Sequence, residues 1–112
     1  MADKEIFATS VRPPRDLAGV FEFEAEVGYF YLYSLDESEG RKILDSLHIL
    51  TGVPDFSKSD VKIRWDSEEQ KVGLFIKGVL WAVFIPALGA KYGGNYQAGQ
   101  KPSIPQDATE GF

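Results

Sequence analysis

Cysteine is absent from this chain of 112 residues, and histidine occurs only once, as His48. Without cysteine, the protein can form no disulfide bond and offers no thiolate as a nucleophile or as a metal ligand. A single histidine cannot complete the sets of histidine and cysteine that bind zinc. The composition therefore predicts a protein that carries neither a metal ion nor another cofactor.

Long apolar runs are also missing. A membrane-spanning helix needs about 20 consecutive apolar residues, and the best candidate, residues 72–90, contains Lys77 and is interrupted by Gly73, Gly78 and Pro86. The many β-branched and aromatic residues in this segment favour strands over a helix. The N-terminal sequence MADKEIF has neither the basic start nor the apolar stretch of a signal peptide. We therefore expect a cytoplasmic protein that does not contact a membrane.

Positive charge is scarce in the first half of the chain. The 12 Lys and Arg residues stand against 17 Asp and Glu residues, so the net charge is −5. Residues 1–60 contain 6 basic and 12 acidic side chains, whereas residues 61–112 contain 6 basic and 5 acidic ones. Nucleic-acid binding requires concentrated Lys and Arg, so we expect no nucleic-acid partner.

The stretch from Val61 to Ile85 is the most apolar part of the sequence and predicts three antiparallel strands. The polar residues 67–70 and the pair Lys77-Gly78 mark its two turns. Side chains alternate between the faces of a sheet, and directly paired residues share a face. One face is then entirely apolar and should line the core: Val61, Ile63, Trp65, Val72, Leu74, Ile76, Val79, Trp81, Val83 and Ile85.

The other face of these strands is basic at first and apolar later. Its basic members are Lys62, Arg64 and Lys71. Its apolar members are Phe75, Leu80, Ala82 and Phe84. A strand that is apolar on both faces is usually covered. We therefore expect a terminal segment or a second subunit on this face, and the second alternative makes the four apolar residues a candidate homodimer contact.

Residues 20–35 predict a β-hairpin that turns close to Gly28. With an even number of loop residues, Phe21, Phe23 and Phe30 share one face. The other face then combines acidic and aromatic side chains: Glu22, Glu24, Glu26, Tyr29, Tyr31 and Tyr33. This acidic–aromatic strip is either a solvated sheet face with cross-strand packing or a recognition surface, since tyrosine is enriched in contact patches.

Residues 36–50 predict a helix that Asp36 caps and Gly52 ends. Its apolar stripe consists of Ile43, Leu44, Leu47 and Leu50. Asp45 and His48 are three residues apart and so share a helix face. Such a pair can be half of an acid–base site or two ligands of a metal site. No second histidine and no cysteine can join them, so an enzyme is the less favoured alternative.

These patterns together predict an α+β domain in the order ββαβββ, with a single antiparallel sheet of about five strands and one helix packed on one face. The domain should span residues 20–86. Residues 1–19 are expected to form an N-terminal connector. Residues 87–112 are rich in Gly, Pro, Gln and Ala, and we expect them to form a flexible tail.

Four short segments are similar to a small bacterial domain family of unknown function: GYFY at 28–31, ILDSLHI at 43–49, IRWD at 63–66 and LWAVF at 80–84. The resemblance covers about residues 20–86. It implies a bacterial source and a small, soluble, β-rich domain. It carries over no catalytic residues.

The function that these patterns favour is non-catalytic protein binding through the acidic–aromatic strip. Its expected contacts are Glu22, Glu24, Tyr29, Tyr31 and Tyr33. Charge complementarity implies a basic protein as the partner. Two alternatives stay open: a structural homodimer closed through the apolar patch, and a small-ligand binder or enzyme that uses Asp45 and His48.

Overall fold

The computed structural model describes residues 5–13, 15–35 and 42–112, and within them the chain forms two four-stranded antiparallel sheets. The strands of the first sheet lie in chain order: β1 (Ile6–Val11), β2 (Leu17–Glu24), β3 (Val27–Ser34) and β4 (Lys42–Thr51). The second sheet is built in the same way: β5 (Val61–Trp65), β6 (Val72–Ile76), β7 (Val79–Ile85) and β8 (Ala90–Gly93). The helices in the described residues are two 3₁₀ turns, Lys58–Asp60 and Pro86–Leu88, and the short α1 (Gln106–Thr109).

The predicted α+β fold with one sheet of about five strands is wrong, because the described residues form two sheets and a single α-helix of four residues. Most of the predicted helix is the edge strand β4. The start of that predicted helix, residues 36–41, lies outside the described residues. No helix in the described ranges is long and apolar enough to cross a lipid bilayer.

The helical spacing in β4 has a physical explanation in its pairing with β3. Register shifts between the two strands place Leu47 opposite Phe30 and Leu50 opposite Gly28. Both leucines therefore pack on the core, although they are three residues apart. A bulged strand can thus imitate the periodicity of a helix.

The hairpin of β2 and β3 turns at Ala25-Glu26. Both turn residues have positive φ, 53° and 65°, which is the geometry of a two-residue turn that suits the twist of paired strands. This even loop pairs Phe21 with Phe30 and Glu22 with Tyr29. The predicted separation of a phenylalanine face from a glutamate and tyrosine face is therefore confirmed.

A bulge in β7 changes which of its residues face the core. Before the bulge, Phe75 pairs with Leu80; after it the register shifts by one residue, because Trp81 has no partner of its own on β6. From there on, each side chain points to the face opposite to the one that strict alternation predicts. Ala82 and Phe84 are consequently buried, at 0% and 1% exposure, and their predicted place on the outer face is wrong.

The inner faces of the two sheets pack directly on each other. Phe30 of β3 lies against Phe84 of β7, with ring centroids 4.9 Å apart. Gly19 of β2 approaches the second sheet so closely that a β-carbon there would lie 2.6 Å from a methyl group of Val72. The core therefore uses the phenylalanine face of the first sheet and leaves its opposite face to the solvent.

Both segments that flank the predicted domain contribute strands. β1 lies within residues 1–19 and pairs with β2 along its whole length. β8 lies within residues 87–112 and pairs with β7. Farther along the chain, Ala108 is buried, and the ring of Phe112 meets Phe75 edge-on with centroids 5.5 Å apart. The end of the chain therefore covers the part of the outer face of the second sheet that carries Phe75.

The side chain of Tyr96 holds the segment that follows β8 against one edge of the two sheets. Its ring packs against Trp81 and Phe56, with centroid distances of 4.7 and 5.1 Å. Its hydroxyl donates a hydrogen bond to Oδ1 of Asp55 at 2.6 Å. Burial, and after it the hydrogen bond to Asp55, raises the pKa of Tyr96 to about 12.

The substitution Tyr96→Phe is expected to make the protein less sensitive to alkaline pH. The folded protein holds the phenol proton of Tyr96 up to about pH 12, whereas an unfolded chain loses it near pH 10. Stability is therefore lost as the pH rises through this interval. Phenylalanine keeps the ring packing and has no proton to lose. Urea unfolding at about pH 9 and about pH 11.5 should show a stability difference between wild type and variant that shrinks at the higher pH; a constant difference would contradict this account.

Candidate binding groove

The outer face of the first sheet carries a groove with a volume of about 530 Å³. It crosses β1, β2 and β3 and reaches the start of β4. Its lining consists of Phe7, Thr9, Val11, Arg15, Ala18, Val20, Glu22, Tyr31, Tyr33, Leu35 and Ile43. Apart from Thr9, Arg15 and Glu22, these residues are apolar or aromatic. The groove is thus an apolar depression on a sheet face that ordinarily meets water.

The strand register explains why the surface is concave there. The middle strand, β2, supplies the small side chains Ala18 and Val20 to the floor. Ala18 pairs with Tyr33 and Val20 pairs with Tyr31, so a large ring stands beside each floor residue. Phe7 of β1 flanks the floor on the other side. Small side chains between large ones leave a trough across the strands.

Two large apolar side chains of the groove remain open to solvent. Phe7 is 53% exposed and Ile43 is 49% exposed. Burying one such side chain completely is worth about 1.5–3 kcal/mol relative to leaving it in water. Exposed apolar residues that cluster in a groove typically mark an interaction site, whereas single scattered ones do not.

The groove has one charged residue towards each end. Glu22 lies on β2, and Arg15 belongs to the connection between β1 and β2. Ala18 and Glu22 are four residues apart on one strand, which corresponds to about 13 Å, and Arg15 lies beyond Ala18. In the part of the chain that the structure describes, neither charged side chain makes an ion pair or a hydrogen bond. The positive charge of Arg15 and the negative charge of Glu22 therefore line the groove without an ion-pair partner in the described residues.

Tyr31 connects the groove with a row of rings on the same sheet face. It stacks on Tyr29 with centroids 5.8 Å apart and an angle of 21° between the rings. Tyr29 in turn meets the ring of His48 edge-on at 5.6 Å. Burial, and after it the nearby charge of Glu22, raises the pKa of Tyr31 above its usual value. The hydroxyl of Tyr31 therefore keeps its proton to a higher pH than an unperturbed tyrosine does.

The structure brings only part of the predicted acidic–aromatic strip to the groove. Glu22, Tyr31 and Tyr33 line it. Tyr29 stacks on Tyr31 but lies outside the lining. Glu24 is exposed at the end of β2, next to the hairpin turn. The five residues share one sheet face, and three of them belong to its concave part.

Most of the groove consists of residues that the sequence patterns did not single out. Phe7, Thr9 and Val11 come from β1, which lies in the segment predicted as a connector. Their six residues, IFATSV, are rich in β-branched and apolar side chains but do not alternate, and so short a run is not decisive without a known partner strand. Ile43 belonged to the stripe of the predicted helix, and Arg15 carried no signal at all.

The candidate homodimer contact does not form a surface in the structure. Ala82 and Phe84 lie in the core between the sheets. Phe75 is in contact with the ring of Phe112, and Leu80 is only partly exposed. The apolar character of these four residues is therefore accounted for by contacts within the chain.

Asp45 and His48 both lie on β4, and the structure does not bring their side chains together, because each binds a different partner. Oδ1 of Asp45 accepts a hydrogen bond from Nζ of Lys91 at 2.8 Å. Burial raises the pKa of Asp45, but the hydrogen bond and charge of Lys91, with a backbone N–H, outweigh burial and hold it below its usual value. The His48 ring lies 3.1 Å from Oδ1 of Asn95 and 2.8 Å from Oγ1 of Thr51. The described residues contain no cluster of three or more potential metal ligands.

The fold and the groove together define a small all-β protein, in which two antiparallel sheets enclose the core and one of them presents a concave outer face. Residues 1–92 match the family described as "Uncharacterized protein conserved in bacteria (DUF2251)", and the chain belongs to this family. The predicted resemblance to a small bacterial family is thereby confirmed, and the match extends beyond residues 20–86 on both sides. Every residue that lines the groove lies within the matched part. No curated protein and no solved structure matches the chain.

Proposed function

We propose that the protein is a non-catalytic binding module that holds an extended segment of a partner protein in the groove of its first sheet. One observation carries the proposal. The solvent-facing side of this sheet carries an apolar groove, in which the side chains of Phe7 and Ile43 are about half exposed. A partner segment laid in the groove would bury both side chains.

The dimensions of the groove favour a polypeptide segment as the ligand. Neighbouring strands are about 4.8 Å apart, so the lining from β1 to β4 is about 14 Å wide. The length from Ala18 to Glu22 is again about 13 Å. An extended peptide of four to six residues covers such a surface, and its alternate side chains can enter the trough. Tyrosine at the wall suits this role, because its ring buries apolar area while its hydroxyl stays hydrated.

The charge of this face favours a basic partner. Glu22 lies in the groove, Glu24 follows it at the end of β2, and Glu26 lies in the hairpin turn. A partner with Lys or Arg next to an apolar residue can pair with Glu22 and fill the trough at the same time. Such complementarity mainly raises the association rate and excludes partners of the wrong charge.

The substitution Thr9→Trp tests the proposal by filling the trough. Thr9 is exposed and lines the groove, so the added ring should occupy ligand space without disturbing the core. Peptides selected from a random displayed library on the wild-type protein are expected to bind this variant at least about tenfold more weakly, which corresponds to about 1.4 kcal/mol.

The matched control for this test is Lys62→Trp, the same addition at an exposed position of β5 in the second sheet. It should bind the selected peptides like the wild type. Thermal unfolding of both variants checks that the fold is kept. Equal binding by the wild type and Thr9→Trp, or failure to select any peptide, would refute the proposed function.

A further inference from the structure

We infer that the groove selects a segment with a charge of each sign: an acidic group beside Arg15, apolar side chains over Ala18 and Val20, and a basic group beside Glu22. This inference rests on the proposed function and goes further, because it specifies the charge pattern and the spacing of the ligand. The basic group corresponds to the basic partner that the acidic side chains of this face already favour. The acidic group is a new requirement, set by Arg15.

The two arginines near the connection of β1 and β2 are used in different ways. Arg12 holds the connection together, with Nη2 at 2.7 Å and Nε at 3.0 Å from the two carboxylate oxygens of Asp16. Its Nη1 also donates to the carbonyl oxygen of Glu69 at 3.0 Å. Arg15 lines the groove and has no such partner in the described residues. Arg12 is therefore structural, and the guanidinium of Arg15 is free to bind a carboxylate of a ligand.

The backbone at Arg15 supports a role for its side chain. Its φ is 74°, a left-handed conformation that favours glycine and disfavours a long side chain. Glycine would therefore serve the turn at least as well as arginine does. A strained residue that faces a groove is a recognised mark of functional use.

Glu22 at the other end is well placed for a cation. It pairs with Phe7 on β1 and with Tyr29 on β3, so its neighbours on both adjoining strands carry aromatic rings. A Lys or Arg of the ligand can form an ion pair with this carboxylate while its stem packs on the rings. An aromatic face near the cation adds to the attraction.

The separation of the two charges sets the length of the ligand. Glu22 lies about 13 Å from Ala18 along β2, and Arg15 is farther on. An extended peptide rises by the same distance per residue, so its acidic and basic residues should be about four to six positions apart. Peptides with adjacent charges, free amino acids and compact metabolites cannot reach both ends.

Four synthetic peptides, acetylated and amidated, test the charge pattern by fluorescence anisotropy. All have the form Gly-Ser-X-Val-Tyr-Val-Z-Ser-Gly, and X and Z are Asp and Lys, Lys and Lys, Asp and Asp, or Gln and Gln. The wild type is expected to bind the peptide with Asp and Lys at least about tenfold more tightly than the neutral one, as two charge-assisted contacts require. A fifth peptide with Asp and Lys adjacent should bind no better than the neutral one.

Two charge reversals should change the preference in opposite directions. Arg15→Glu is expected to make the Lys and Lys peptide the tightest ligand, and Glu22→Lys should do the same for the Asp and Asp peptide. Arg64→Glu and Glu68→Lys, which reverse exposed charges outside the groove, are the controls and should keep the wild-type order. Arg15→Gly should lose the preference for Asp without a loss of thermal stability.

The outcomes separate the inference from the function on which it rests. If all peptides bind equally well and Thr9→Trp abolishes this binding, the groove is a peptide site and the charge selection is refuted. If the charge reversals leave the order of affinities unchanged, Arg15 and Glu22 are not the selecting residues. If no designed peptide binds the wild type at about 1 mM, which corresponds to about −4.1 kcal/mol, while library-selected peptides bind it and Thr9→Trp weakens them, only the charge selection is refuted. If no library peptide can be selected either, both proposals are refuted.

Discussion

Alanine in place of Phe30 is expected to lower the free energy of unfolding by about 4 kcal/mol. Phe30 is fully buried, and its ring lies 4.9 Å from that of Phe84 on the facing sheet. The substitution removes the burial of a whole ring and leaves a cavity between two sheets that can only partly close it. A domain of this size is stable by about 5–15 kcal/mol in total, so one residue accounts for a large share.

Urea unfolding followed by circular dichroism measures this effect. The matched control is Phe7→Ala, which makes the same change on a ring that is 53% exposed and should cost about 0.5 kcal/mol. The control variant should instead weaken peptide binding, because Phe7 lines the groove. Equal losses of stability in the two variants would contradict the packing of the phenylalanine face against the second sheet.

The second large effect is expected for Gly93→Ala, at about 3 kcal/mol. Gly93 has a φ of +90°, and a β-carbon there would lie 2.2 Å from the carbonyl oxygen of Trp81 and 3.0 Å from Cα of Ala82. Both atoms belong to the backbone of the paired strand β7, so they cannot rotate away as the end of a side chain can. The cost therefore combines backbone strain with displacement of β8 from its neighbour.

Gly99→Ala separates these two contributions. Gly99 also has a positive φ, +77°, but its added β-carbon would meet nothing within 4 Å. This control should show only the strain, at about 1 kcal/mol. The difference between the two variants in urea unfolding then reports the close approach of β8 to β7, and a difference near zero would contradict that approach.

The β2–β3 hairpin could be predicted because its determinants are local. The alternation of phenylalanine with glutamate along β2 and with tyrosine along β3 requires an even loop, since any other register would mix apolar and charged side chains on both faces. The structure has this register, with Glu22 opposite Tyr29. Three residues of the groove, Glu22, Tyr31 and Tyr33, could be proposed from this pattern alone.

β4 and the second half of β7 could not be predicted in the same way. Leu47 and Leu50 both face the core only because the register with β3 shifts between them. Ala82 and Phe84 are buried only because Trp81 is accommodated as an extra residue. Bulges follow from how a strand fits its neighbours and the opposite sheet, and alternation along one strand contains no information about that fit.

By itself, then, the sequence determined the strands of the β2–β3 hairpin, the shared face of β5 and β6, and membership in a bacterial family, because each depends on residues close together in the chain or on their order. Only the tertiary structure decided that there are two sheets, that Ala82 and Phe84 are core, and that Phe7, Arg15 and Ile43 meet Glu22 in one groove. These features depend on which strands pair and which faces pack, and the free energy of that choice comes from contacts between residues far apart in the sequence.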